Sequence, residues 1–143
     1  YKLSGFQVSL KHYFFKLWRC LCFERYTIYI LQCEEGKYYI GSTKHRKRRY
    51  TEHFSKKGGS AWTRCYKPLS VVHEYRRIPQ AFVLGLEAQV TAQYMMKYGI
   101  QNVRGAMFSQ KRKFTRQRDL EALIGFLGHY NEMDYKGVRD VLL

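Results

Sequence analysis

Two tyrosines, an arginine, a histidine and a glutamate are the residues in this chain whose types and spacing could do chemistry together. Tyr29 ends the run Thr27-Ile28-Tyr29, and Tyr39 opens Tyr39-Ile40-Gly41. Arg49 and His53 follow in a very basic stretch, four residues apart. That interval puts two side chains on one face of a helix. Glu87 lies in Leu86-Glu87-Ala88-Gln89, within an otherwise apolar helical pattern. A guanidinium offers a fork of donors that matches phosphate oxygens, and its charge never titrates away. An imidazole, with an intrinsic pKa near 6.5, can pass a proton. A phenol, with a pKa of about 10, is a poor base unless a cation lowers it. A carboxylate on an apolar helix face needs a partner or a metal, because burying it alone is costly.

The surrounding sequence predicts the elements that hold these groups. Tyr26 to Leu31 and Tyr38 to Ser42 are rich in Ile, Tyr and Thr, and Glu34-Glu35-Gly36-Lys37 between them is turn material. This is a hairpin signal. Period two puts Thr27, Tyr29 and Leu31 on one face and Ile28 and Ile30 on the other. Lys44 to Lys57 has few strand formers and many Lys and Arg, which suits a helix. Gly58-Gly59-Ser60-Ala61 reads as a flexible loop, and Trp62 beyond it either anchors that loop or stacks on a base. Leu69 to Arg76 alternates in part and reads as a third strand. Pro79 opens a long helix with Ala81, Leu84, Ala88, Ala92 and Met95 on one face, stopped at Tyr98-Gly99. Asn102 to Gly105 reads as a connector. Leu120, Ile124, Leu127 and Tyr130 suggest another helix, with a short terminal one from about Asn131. Before the hairpin, Leu10, Phe14, Leu17 and Leu21 recur at helical steps beside Trp18. The expected architecture is α/β (α+β): a small, mainly antiparallel three-stranded sheet flanked by helices. A core over 26–105 is expected, with helical extensions over 1–25 and 106–143, all one compact unit.

A chain of 143 residues suffices for one domain with a modest core. Its 26 Lys and Arg against 11 Asp and Glu leave a net charge of +15, clustered enough to make nucleic acid the first candidate partner. No apolar run is long enough to span a membrane. The first twenty-odd residues lack a clean apolar signal core. Cys20, Cys22, Cys33 and Cys65 have no zinc-like spacing and suit free thiols in a reducing, intracellular compartment, with DNA. Opening on Tyr1 rather than Met suits a fragment or processed product, so further domains of a longer chain are an open expectation.

Taken in order, these residues resemble the GIY-YIG nucleases. Tyr29 and Tyr39 match the family's two tyrosines, and Gly41 its glycine. Arg49 stands ten residues after Tyr39, with His53 four later, at the family's intervals. Glu87 matches the acidic residue on a later helix. Asn102 and Gly105 resemble a closing motif, with Gly41 and Asn102 in structural roles. The resemblance covers about Tyr26 to Gly105. One departure is Thr27, where the family's first glycine would stand.

The resemblance implies a metal-dependent DNA endonuclease that hydrolyses phosphodiester bonds. Arg49 would clamp the transition-state charge, a role worth about 3–4 kcal/mol where such donors are removed. Glu87 would hold Mg²⁺ (or Mn²⁺), one ion per site, since a lone carboxylate suits a single hard ion that keeps water and phosphate ligands. Tyr29 would be general base or water positioner, with Lys37 the candidate cation to lower its pKa. Tyr39 and His53 would hydrogen-bond the water or the phosphate. Lys44, Arg46, Lys47, Arg48, Lys56, Lys57 and Arg64 would grip the DNA backbone, and the run from Lys111 to Arg118 either extends that track or is a solvated face. The alternative is a nucleic-acid-binding module of the same fold that does not cut. The stretch from Gly58 to Arg64 also resembles the glycine-rich loop of the structure-specific branch. That branch carries a cysteine-rich zinc domain downstream, whereas this sequence has no Cys after Cys65.

Overall fold

The computed structural model describes residues 24–55 and 58–130. The expected N-terminal helix, the terminal helix from Asn131, Cys20, Cys22, Lys56 and Lys57 lie outside the described residues.

The hairpin forms where β-branched and aromatic residues are dense. Strand β1 (Arg25–Cys33) turns through Glu34–Gly36 into β2 (Lys37–Thr43). Glu35 and Gly36 supply the left-handed backbone that the turn needs, at φ 58° and 68°. The register pairs Tyr29 with Gly41 and Leu31 with Tyr39. β2 leads into helix α1 (Arg46–Phe54), narrower than the basic stretch that predicts it, and then α2 (Ala61–Cys65). The long strand β3 (Pro68–Pro79) pairs antiparallel with β1. Its register slips at three places, and these irregularities explain why its sequence alternates only in part. Helix α3 (Gln80–Tyr98) follows, with Pro79 at its N-cap and Gly99 at its C-cap.

The sheet has four strands rather than three, in the order β3-β1-β2-β4. The added strand β4 is only Val103–Arg104, parallel to β2 at Tyr38 and Tyr39. Two residues carry no readable period, so the stretch looks like a connector in sequence. Helix α4 (Gln117–Tyr130) closes the described fold.

β1 lies between β2 and β3 and is buried on both faces. Ile28, Ile30 and Ile40 join Ala88, Ala92 and Met95 of α3 and Leu123, Phe126 and Leu127 of α4 in one core. Tyr29, Leu31 and Cys33 form a second cluster on the other face, with Tyr39, Tyr50 and Tyr66 packed on it. The expected two-face division of β1 is therefore present. On α3 the buried stripe starts at Val83 rather than at Ala81. Ala81 is exposed and Leu84 is 82% exposed.

Candidate active site

β1 and α1 bring three of the singled-out side chains into direct contact. Tyr29 is 1% exposed, and its phenol oxygen lies 2.7 Å from His53 Nε2. Arg49 Nε donates to the same oxygen at 3.2 Å. The four-residue spacing does what the helix predicts: Arg49 and His53 reach the sheet side by side. Tyr39 is half-buried beside them, its ring centroid 5.2 Å from that of His53 and 6.4 Å from that of Tyr29. Gly41 makes room. A Cβ there would overlap the Tyr29 phenol oxygen and sit 2.6 Å from its Cζ. The glycine of Tyr39-Ile40-Gly41 is thus fixed by a ring lying over it, not by its backbone angles.

Burial pushes the Tyr29 hydroxyl well above the usual phenol range, and the neighbouring Tyr39 and Glu87 add to this while Arg49 opposes it. Tyr39 moves in the same direction, again chiefly through burial. His53 is 2% exposed, and burial, helped by the Arg49 charge, lowers it to about 4. It is therefore neutral at pH 7. Burial works against the Arg49 charge, but bonds to Glu52 and Tyr29 outweigh it and hold the guanidinium protonated. Arg49 Nη1 donates to Glu52 at 2.7 Å.

Glu87 approaches from the other face. Ser42, one residue past Gly41, points toward α3 and donates to Glu87 Oε2 at 2.7 Å. The backbone N–H of Ala106 donates to Oε1 at 3.2 Å. β4 pairs only with Tyr38 and Tyr39, so among the described residues the outer edge of β2 beyond them has no strand neighbour. The carboxylate sits at that edge, half-buried, and its charge is felt by both phenols.

A divalent ion fits this donor set. Among the described residues each Glu87 oxygen accepts one hydrogen bond, which leaves acceptor capacity on both. Among the described residues no group of three His, Cys, Asp or Glu gathers as a closed metal cage. One carboxylate completed by water and phosphate oxygens suits Mg²⁺ or Mn²⁺ and does not suit a structural zinc.

Other singled-out residues lie elsewhere or have partners already. Lys37 does not approach Tyr29: its amine donates to Asn102 Oδ1 at 2.7 Å and lies 5.3 Å from the centre of the Tyr66 ring. The cation beside Tyr29 is Arg49. Asn102 in turn bonds the Tyr98 carbonyl at 2.8 Å, tying the end of α3 to β2. Lys44 pairs with Glu24 at 3.3 Å and Arg46 with Glu74 at 3.0 Å. Lys47 and Arg48 are exposed on α1, and a cleft of about 470 Å³ opens along His45, Arg46, Lys47 and Arg48. Arg64 is exposed on α2 rather than in a loop. Trp62 is 1% exposed and donates to the Tyr38 carbonyl at 3.0 Å, so it is an anchor and not a base-stacking platform. Of the later run, Arg112 pairs with Asp119.

Sequence reasoning missed Ser42, Glu52, Thr63 and Arg104. Thr63 Oγ1 lies 3.1 Å from His53 Nδ1. A Ser three residues before a Thr, after two glycines, was the available signal for a helix start there.

A UPF0213 protein of Fusobacterium nucleatum is 31% identical over 65 residues, which are 46% of this chain and 64% of that relative. A UPF0213 protein of Desulfotalea psychrophila is 41% identical over 46 residues, 32% and 42% of the two chains. The chain thus spans less than two thirds of either relative. No solved structure matches it. A family model described as the GIY-YIG catalytic domain matches residues 25–99, from the head of β1 to the cap of α3. That span is slightly more than half of the 143 residues and carries both tyrosines, Arg49, His53 and Glu87, so the chain belongs to the GIY-YIG family.

Proposed function

We propose that this protein is a divalent-metal-dependent endonuclease that hydrolyses phosphodiester bonds in DNA. One observation carries the reading: a buried phenol held between a neutral imidazole and a permanently charged guanidinium, with an anchored carboxylate at the adjacent strand edge.

Arg49 is the phosphate clamp. In this reading a phosphate oxygen replaces Glu52 on Nη1 and gathers charge there as the transition state forms. Tyr29 and Tyr39 orient the attacking water, and Tyr29 takes its proton. The fully ionised phenolate is disfavoured in this buried setting, so that proton can only be received as the phenol gives up its own. Glu87, oriented by Ser42 and the Ala106 amide, would hold the ion, which supplies charge neutralisation at the phosphate and the departing oxygen. Lys47, Arg48 and Arg64 are exposed cations available to backbone phosphates.

The test is nicking of supercoiled plasmid by the full chain in Mg²⁺ and in EDTA, alongside Glu87→Gln. The expected result is cleavage with Mg²⁺, none with EDTA, at least 100-fold slower cleavage by the variant, and unchanged affinity for a short duplex. Tight binding without cleavage under any divalent ion would instead establish a silent binding module.

A further inference from the structure

Helix α2 sits against the back of His53, and the hydrogen-bond arithmetic of that contact has one solution. The Tyr29 phenol oxygen accepts from Arg49 Nε, which is always a donor. The phenol proton must go to an acceptor. Among the described residues the acceptor within hydrogen-bond distance of that oxygen is His53 Nε2. Nε2 is therefore the bare nitrogen, and the neutral ring carries its proton on Nδ1. Nδ1–H then donates to Thr63 Oγ1. Thr63 Oγ1 also accepts from the Ser60 N–H at 2.9 Å, which fills its second lone pair, and its own proton has two acceptors on Ser60, the Oγ at 3.1 Å and the carbonyl at 3.2 Å. Every donor and acceptor is satisfied. The opposite tautomer would leave the phenol proton of a buried tyrosine without an acceptor among the described residues, at a substantial cost.

The loop before α2 is shaped to press this bond home. Ser60 caps α2 by accepting from the Thr63 N–H, and the Thr63 hydroxyl answers on the Ser60 N–H. Gly59 has φ +85°, and a Cβ there would come within 2.6 Å of Thr63 Oγ1 and 2.9 Å of His53 Nδ1. The second glycine of Gly58-Gly59 is thus needed for the backbone to close over the imidazole.

We propose that Thr63 is a positioning residue: it fixes the His53 tautomer so that Nε2 accepts the Tyr29 proton while Tyr29 takes one from the attacking water. This rests on the nuclease reading above. In the step, the water O–H breaks and its proton joins the Tyr29 oxygen. The Tyr29 O–H breaks and its proton joins His53 Nε2. The hydroxide oxygen bonds to phosphorus as the P–O bond to the departing oxygen breaks. That oxygen leaves as an alkoxide and takes a proton from solvent water, while the imidazolium keeps its Nδ1–H on Thr63. The other charged or titratable groups facing the ring are Arg49 and Glu52 of α1 and Tyr39 of β2.

The experiment uses the full chain in two arms. Long-range ¹H–¹⁵N spectra at pH 7 read the His53 tautomer without any need for activity. Wild type should show the Nδ1–H form, Thr63→Val should shift toward Nε2–H, and Thr63→Ser should restore Nδ1–H. In single-turnover cleavage, Thr63→Val should lower the rate about 100-fold, the low end of what a positioned base contributes, with DNA affinity unchanged and Thr63→Ser near wild type. An Nε2–H wild type, or Thr63→Val cutting at full rate, overturns the proposal. An Nδ1–H wild type that never cuts overturns the nuclease reading and leaves the tautomer assignment intact.

Discussion

His53 shows how one residue's surroundings set both its chemistry and its cost. It is held neutral, because burial and the adjacent Arg49 charge lower it from 6.5 to about 4. The unfolded chain binds a proton there in the interval between those values, and the folded chain does not. Stability contributed by the neutral histidine is therefore complete above pH 6.5 and is lost as pH falls toward 4. The full loss is about 3 kcal/mol. Urea melts from pH 7 to pH 4 should show it, and His53→Gln should flatten that part of the profile. An equally steep decline in the variant would place the acid sensitivity elsewhere. At this scale the sequence was most informative. The spacing of Tyr29, Tyr39, Arg49 and His53 foresees the cluster that the structure gathers. It could not reveal that Lys37 turns away to Asn102, because that contact spans 65 residues and depends on β4 pairing beside β2.

Among the elements, the shortest strand and the shortest helix hold the two halves of the site together. Arg104 of β4 is 0% exposed. Its guanidinium donates to the carbonyls of Ile100, Val103, Gln110 and Arg112, and lies between Trp62 of α2 and Phe114, at 4.2 and 4.0 Å from their ring centres. Burial lowers its pKa to about 10, so it is still charged at neutral pH. Trp62 precedes Thr63, which faces His53, and Arg104 leads through Gly105 into the Ala106 amide that holds Glu87. Replacing Arg104 with Met would keep much of the apolar volume but take this donor from four carbonyls, of which that of Arg112 keeps Gln110 Nε2 at 3.4 Å. At about 1–3 kcal/mol for a buried polar group left unsatisfied, a loss of at least about 3 kcal/mol is expected in urea unfolding. A smaller loss would mean that water replaces the guanidinium. None of this could be read from the sequence, where Arg104 is one of many basic residues and a two-residue strand has no period. The hairpin, α1 and α3 were legible because each is long enough to repeat its pattern.

Across the whole molecule the net charge of +15 would drive association with DNA on the nuclease reading proposed above, but not every cation counts equally. Lys44 and Arg46 are committed to Glu24 and Glu74. Lys47 is exposed, and Arg48 meets Glu52 at 3.7 Å with its side chain 73% exposed, a surface pair of little strength. Each phosphate neutralised releases counterions and steepens the salt dependence of binding by about 0.9 in the log–log slope. The double change Lys47→Gln/Arg48→Gln should therefore flatten the slope by about 2. Arg46→Gln should flatten it by clearly less than one contact's share, since that guanidinium leaves Glu74 unpaired rather than a phosphate. Fluorescence anisotropy with a labelled duplex across a KCl series, in EDTA to prevent cutting, measures both. Equal slopes for the double variant and wild type would remove the head of α1 from the DNA track, and a full-sized effect for Arg46→Gln would show that its ion pair opens when DNA binds.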